Sequence, residues 1–166
     1  TPPPEQFICE LIEKAIKALE LPVEAKAERT EGFRVLLNQN FDMPAIVRLV
    51  LGRHWRTATP GQKSKFSRVF KTHLVQVYTS QLGVYGGEIV EIEKSTQLSK
   101  KDTVIYTLVL REEEIPLRLD WRVRETNRGL KVIDVAAEGV SMLTTKRSEF
   151  TSLVAREGVD ALIGRL

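Results

Sequence analysis

Residues Leu117 to Ser141, LRLDWRVRETNRGLKVIDVAAEGVS, decide the fold. Leu117, Leu119, Trp121 and Val123 alternate with Arg118, Asp120, Arg122 and Arg124, the period-two pattern of a strand with one buried and one wet face. Asn127-Arg128-Gly129 suits a three-residue hairpin loop with Gly129 in the left-handed position. Such a loop pairs Thr126 with Leu130 and sets Val123 opposite Ile133, Trp121 opposite Val135 and Leu119 opposite Ala137. The other face then sets Arg122 against Asp134 and Arg118 against Glu138, cross-strand ion pairs worth roughly 0.2–1 kcal/mol each. A slip of one residue loses both pairs and turns the apolar set to water. The expected product is a hairpin with an apolar inner face.

At 166 residues, 42% hydrophobic and 28% charged, the chain has the length and composition of one globular domain over 1–166. No run of about 18 apolar residues occurs, so no spanning helix is expected. The single cysteine, Cys9, excludes an internal disulfide and a cysteine-rich metal site. The start, Thr1-Pro2-Pro3-Pro4, lacks the character of a signal peptide, as a processed chain and a trimmed one both would. A net charge of +3 hides an asymmetry. No Asp or Glu occurs from Met43 to Gly87, a span that holds Arg48, Arg53, Arg56, Lys63, Lys65, Arg68 and Lys71. Such a one-signed field steers a negative partner; a solvated helix face is the plain alternative.

Upstream, Ile8, Leu11, Ile12, Ala15, Ile16 and Leu19 fall at helical spacing over Pro4 to Leu19, and Pro22 ends the helix. A second helix is expected over Glu24 to Asn38, with Phe33, Leu36 and Leu37 apolar and Gly32 a weak point. Asp42 suits an N-cap and Pro44 the first turn of a short helix to Leu51, buried on most sides and stopped by Gly52. A basic, aromatic connector, Arg53-His54-Trp55-Arg56, follows. Thr59-Pro60-Gly61-Gln62 has capping-box spacing and opens a helix to about Gln81. Its stripe holds Phe66, Phe70, His73, Leu74 and Val77, with Gly83, Gly86 and Gly87 breaking the pattern. Strands are expected over Glu88–Lys94, Thr103–Arg111, Ile115–Glu125 and Leu130–Glu138, an antiparallel meander. Thr103–Arg111 is apolar on both faces and reads as a covered central strand. After Gly139, Phe150, Leu153 and Val154 mark a helix to Gly158, and Leu162, Ile163 and Leu166 a last short one. The fold class is therefore α+β, a four-stranded antiparallel meander clasped by N- and C-terminal helices.

No glycine-rich phosphate loop, metal-ligand cluster or nucleophile elbow appears, so neither a metal nor a cofactor is expected. His54 lies among arginines and suits a surface position. His73 lies within the apolar stripe, either as a hydrogen-bonded core histidine or as a base in a pocket. Asp120, Asp134 and Glu138 are carboxylate candidates, the last two accounted for by the ion pairs above. Phe66 and Phe70 follow buried helical spacing, unlike the exposed stacking aromatics of nucleic-acid binders, so no nucleic acid is expected. Periodicity does not distinguish a filled core from a hollow one.

Phe41-Asp42, Val50-Leu51-Gly52-Arg53-His54-Trp55-Arg56 and Ala58-Thr59-Pro60 resemble the signature of the MlaC-type toluene-tolerance family. Phe66, Phe70, Leu74, Val75 and Tyr78 resemble its following helix. Lys131-Val132, Asp134-Val135 and Glu138-Gly139-Val140-Ser141 resemble its closing hairpin. Arg147, Ser148, Phe150, Gly158 and Leu162 are similar to its C-terminal helices, so the resemblance spans essentially the whole chain. Departures are His73 for a usual leucine, Lys146 for a common tyrosine, and Asn38-Gln39-Asn40 without the proline many members carry.

The resemblance implies a cone-like sheet, of the nuclear-transport-factor or cystatin type, enclosing an apolar cavity. It also implies an exported, periplasmic protein whose signal peptide has been removed. Its role would be to bury phospholipid acyl chains and leave the headgroup outside. Such a carrier shuttles between an outer-membrane lipoprotein complex and the substrate-receiving component of an inner-membrane ABC transporter, a system that maintains outer-membrane lipid asymmetry. Phospholipid is then cargo and the protein is not an enzyme. Some relatives are associated with hopanoids instead, and a small cone-fold enzyme using His73 or Asp120 is the other class that suits the cavity. The expected walls are Leu119, Trp121 and Val123 with Tyr106, Leu108 and Leu110, facing Phe70, Leu74 and Val77. Val50, Trp55, Val135 and Met142 complete the lipid-binding set, and Arg53, Arg56 and Lys63 are the expected docking residues.

Overall fold

The alternation from Leu117 to Ala137 becomes β3 (Leu117–Thr126) and β4 (Gly129–Ala137) of an antiparallel sheet. In the computed structural model, which describes residues 3–22, 24–81 and 88–166 (78, 80 and 81 by backbone alone), β1 (Ile89–Gln97) and β2 (Asp102–Leu110) precede them. A two-residue β5 (Val140–Ser141) follows, giving the order β1-β2-β3-β4-β5. The meander is as expected, with five strands in place of four. Two residues are too few for alternation to register, so β5 is invisible to sequence patterning. Gly83, Gly86 and Gly87 lie outside the described residues, as does the side chain of Tyr78.

Leu119 pairs with Ala137, Trp121 with Val135 and Arg122 with Asp134, as expected. Beyond them Val123 pairs with Val132, not Ile133, and Thr126 with Gly129, not Leu130. The turn is one residue tighter than read, with Gly129 at φ +94°, and a bulge beside Val123 absorbs the difference. The ion pairs also change partners. Arg122 reaches back to Asp102 on β2 at 2.7 Å rather than to Asp134. Asp134 instead accepts from the backbone N–H of Leu143 at 2.9 Å and from the Ser141 hydroxyl. Glu138 accepts from the backbone N–H of Arg118 at 2.7 Å, while the Arg118 guanidinium lies 3.5 Å from Asp120.

Helices α1 (Pro4–Leu19) and α2 (Lys26–Asn40) pack together where Gly32 permits close approach; a Cβ there would sit 3.3 Å from that of Ala18. Asp42 caps α3 (Met43–Leu51), accepting from Ala45 N–H at 3.2 Å, and Gly52 ends it at φ +56°. The basic connector forms a single turn, α4 (His54–Thr57). The capping box of α5 (Pro60–Gln81) is reciprocal, Thr59 N–H to Gln62 at 2.9 Å and Gln62 N–H to Thr59 at 3.1 Å. Ser141 caps α6 (Met142–Glu157), and Gly158 leads into α7 (Val159–Arg165).

These elements bury two apolar clusters. The first lies among α3, α5, α6 and α7, where Phe66 and Phe70 stack at 5.4 Å and Phe150 meets both edge-on. The second lies between α1 and the sheet, Ile8, Leu11 and Ile12 packing with Ile105, Val109, Trp121, Val123 and Val132. Phe41 packs on both clusters, and its backbone bridges Val132 of β4.

Candidate functional site

Pairing decides which apolar side chains share a face. Ile105 lies across from Trp121, Thr107 from Leu119 and Val109 from Leu117, and these make the inner face that α1 covers. Leu119, Trp121, Val123 and Val135 from the expected set therefore meet on one surface. Tyr106, Leu108 and Leu110 do not join them. Tyr106 pairs with Asp120 and Leu108 with Arg118, which puts this stripe on the outer face. There Tyr106 lies beneath Lys94 at 4.8 Å and Arg118 at 5.9 Å, half-buried rather than covered by a helix. Both faces of β2 read as apolar, so the sequence did not say which one turns inward. Asp120 goes with the outer stripe, away from the face it would need as a cavity base.

The helical half of the expected wall is also relocated. Val50, Phe70 and Leu74 are buried in the first cluster, with Trp55 packed at its edge. What faces the inner sheet is α1, through Ile8, Leu11 and Ile12. A helical stripe specifies that one side is buried but not against what, and here α1 takes the place assigned to α5. Val77 and Met142 are both half-buried.

Sequence reasoning missed Thr107, Ile105 and Val109 as inner-face residues, together with the facing side of α1. Thr107 is fully buried; its hydroxyl donates to the carbonyl of Leu119 at 2.7 Å and accepts from the Trp121 indole N–H at 3.1 Å. That bond fixes the Trp121 ring against the sheet. On β2 the buried Asp102 receives Arg124 at 2.7 and 3.0 Å and Arg122 at 3.0 and 2.7 Å. The hydrogen bond from Arg124 leads in holding its carboxyl below the ordinary range, against burial and with help from Arg122. His73 is half-buried, and burial, then the charge of Lys146 on α6, lowers its pKa against an opposing pull from Glu149. Among the described residues no group of three or more His, Cys, Asp or Glu could hold a metal ion.

Arg53 and Arg56 flank the α3–α4 corner and are exposed, while Lys63 stands 4.7 Å over the Trp55 ring. Residues 10–166 match the family described as MlaC protein. The chain belongs to the MlaC family. It is 25% identical over 121 residues to the intermembrane phospholipid transport system binding protein MlaC of Haemophilus influenzae. That match takes in 70% of this chain, which spans only 56% of the length of the relative. The MlaC-family fold is shared with the phospholipid-binding protein from Ralstonia solanacearum, solved in complex with a phospholipid. The two superpose with a TM-score of 0.82 at 22% identity, over 96% of this chain and 92% of that one. No helix of this MlaC-family chain, among the described residues, is long and apolar enough to cross a membrane.

Proposed function

We propose that this chain is a periplasmic carrier that buries the acyl chains of a phospholipid and moves it between the two membranes of the envelope. The observation that carries the reading is membership of the MlaC family over residues 10–166. Two kinds of relative support it, one named for intermembrane phospholipid transport and one solved with a phospholipid. The physical case is simple. At about 0.8 kcal/mol per methylene, two long acyl tails cost more than ~20 kcal/mol to expose to water, so a free lipid does not cross an aqueous gap at a useful rate. The inner sheet face is the surface suited to those tails where α1 leaves it open, since Trp121 and Val123 already pack under α1. Half-buried Leu117, Leu119 and Val135 leave apolar area on it beside α1. The phospholipid is cargo, and the role requires no cofactor.

In this reading the carrier meets an outer-membrane lipoprotein complex and the receiving component of an inner-membrane ABC transporter. Arg53, Arg56 and Lys63 are the residues we assign to docking, because the span around them holds no acid. Organic extraction and mass spectrometry of gently purified protein test the central claim. About one phospholipid per folded chain is the expected result. Correctly folded protein from a bacterial host that yields no lipid would overturn it.

A further inference from the structure

Helices α5 and α7 leave between them an open groove of about 490 Å³. Val69 and the buried Ile163 line it with apolar side chains, and Lys65 and Arg68 stand along it with their charges exposed. No ion pair among the described residues engages either cation. One acid, Asp160, also borders the groove, but its carboxylate already accepts from the Gln62 amide at 3.1 Å. The local balance is thus positive, within a span of chain from Met43 to Gly87 that carries no acid at all.

Thr72 and Gly164 complete the lining. A glycine inside a helix is disfavoured relative to alanine. It is kept where a Cβ would clash or where φ is positive, and neither applies here: nothing lies within 4 Å of a Cβ built at Gly164, and its φ is not in the left-handed range. Nothing within the described chain requires that bare wall. It leaves room for the backbone of something from outside.

We propose that this α5–α7 groove is a docking site for an acidic peptide segment of a partner protein. An apolar side chain of the segment would seat on Val69 and Ile163, its carboxylates would face Lys65 and Arg68, and its backbone would pass over Gly164. The concave lining, which sets apolar Val69 and Ile163 beside Lys65 and Arg68, favours a peptide over a bilayer surface, for which exposed cations alone would serve. The inference does not depend on which cargo the protein carries.

Fluorescence anisotropy on the full chain tests it. The probe is a fluorescein-labelled peptide of about twelve residues in which leucines are separated by glutamate pairs, beside a copy with glutamine in place of glutamate. The acidic peptide is expected to bind, and to bind less as salt rises. Lys65→Glu with Arg68→Glu should weaken it at least about tenfold at low salt. Gly164→Leu should do so comparably by filling the groove while leaving the charges in place. All three positions are exposed, so circular dichroism should show the fold retained. No binding of the acidic peptide, equal binding of the glutamine copy, or binding unchanged in both variants overturns the proposal. So does loss of binding to phosphatidylglycerol vesicles in the same variants without any peptide binding, since that outcome assigns the cations to a membrane surface.

Discussion

Thr107 lies between Ile105 and Val109 on the inner row of β2, and its position gives it two obligations at once. A hydroxyl has one proton to donate and lone pairs to accept, so one group satisfies both the Leu119 carbonyl and the Trp121 indole. Valine has nearly the same shape and can do neither. Thr107→Val should cost about 1–3 kcal/mol, because it strands the indole N–H where water does not reach. Urea unfolding measures the loss, and Thr107→Ser should recover most of it. A valine variant as stable as the parent would show that Trp121 is held by packing alone. Trp121 is legible as inward from the alternation of β3. Thr107 is not, because it lies between Tyr106 and Leu108 in a run whose two faces both read as apolar.

Among the elements, β2 and β3 are joined at one end by the pair of arginines on Asp102. The carboxyl titrates lower in the folded chain than its ordinary 3.8, first because of the Arg124 hydrogen bond. The folded state therefore binds fewer protons than the unfolded one through that range. The stability Asp102 contributes is full above about pH 4 and is lost as pH falls through the lowered value. Asp102→Asn should lose about 1–3 kcal/mol near neutrality. The arginines, 43% and 35% exposed, can resolvate and keep the loss toward the lower end. Stability followed by thermal melts from pH 7 down to pH 3 should fall less steeply for the variant. Equal slopes would place the acid sensitivity elsewhere. Neither arginine's true partner follows from the sequence: the two-strand register offers Asp134 to Arg122, and only the third strand brings Asp102 closer.

At the scale of the molecule, a net charge of +3 is divided unevenly, and the acid-free span falls on α3, α4 and α5. Exposed charges attract over roughly a Debye length, about 10 Å at 0.1 M salt. If Arg53 and Arg56 dock a partner, Arg53→Glu with Arg56→Glu should weaken capture by the ABC transporter component proposed above as that partner about tenfold at low salt. The gap should narrow as salt rises, with bound lipid unchanged as the control. Capture equal to that of the parent at every salt would return this corner to a solvated surface.

Local periodicity by itself determined the α+β class, the helices and caps, the antiparallel meander and the apolar faces of its strands. The resemblance of the Leu-Gly-Arg and Glu-Gly-Val-Ser segments, at Leu51 to Arg53 and Glu138 to Ser141, already pointed to the family that residues 10–166 match. Tertiary structure alone decided that α1, not α5, covers the inner face. It likewise decided that Tyr106, Leu108 and Leu110 turn outward, and that a bulge beside Val123 shifts the end of the hairpin. The reason is physical. Spacing along a chain fixes which side chains share a surface, because the helix and strand repeats are local. Which surfaces meet depends on contacts between residues far apart in sequence. A bulge leaves the alternation on either side of it unchanged, so no pattern along one strand reveals it.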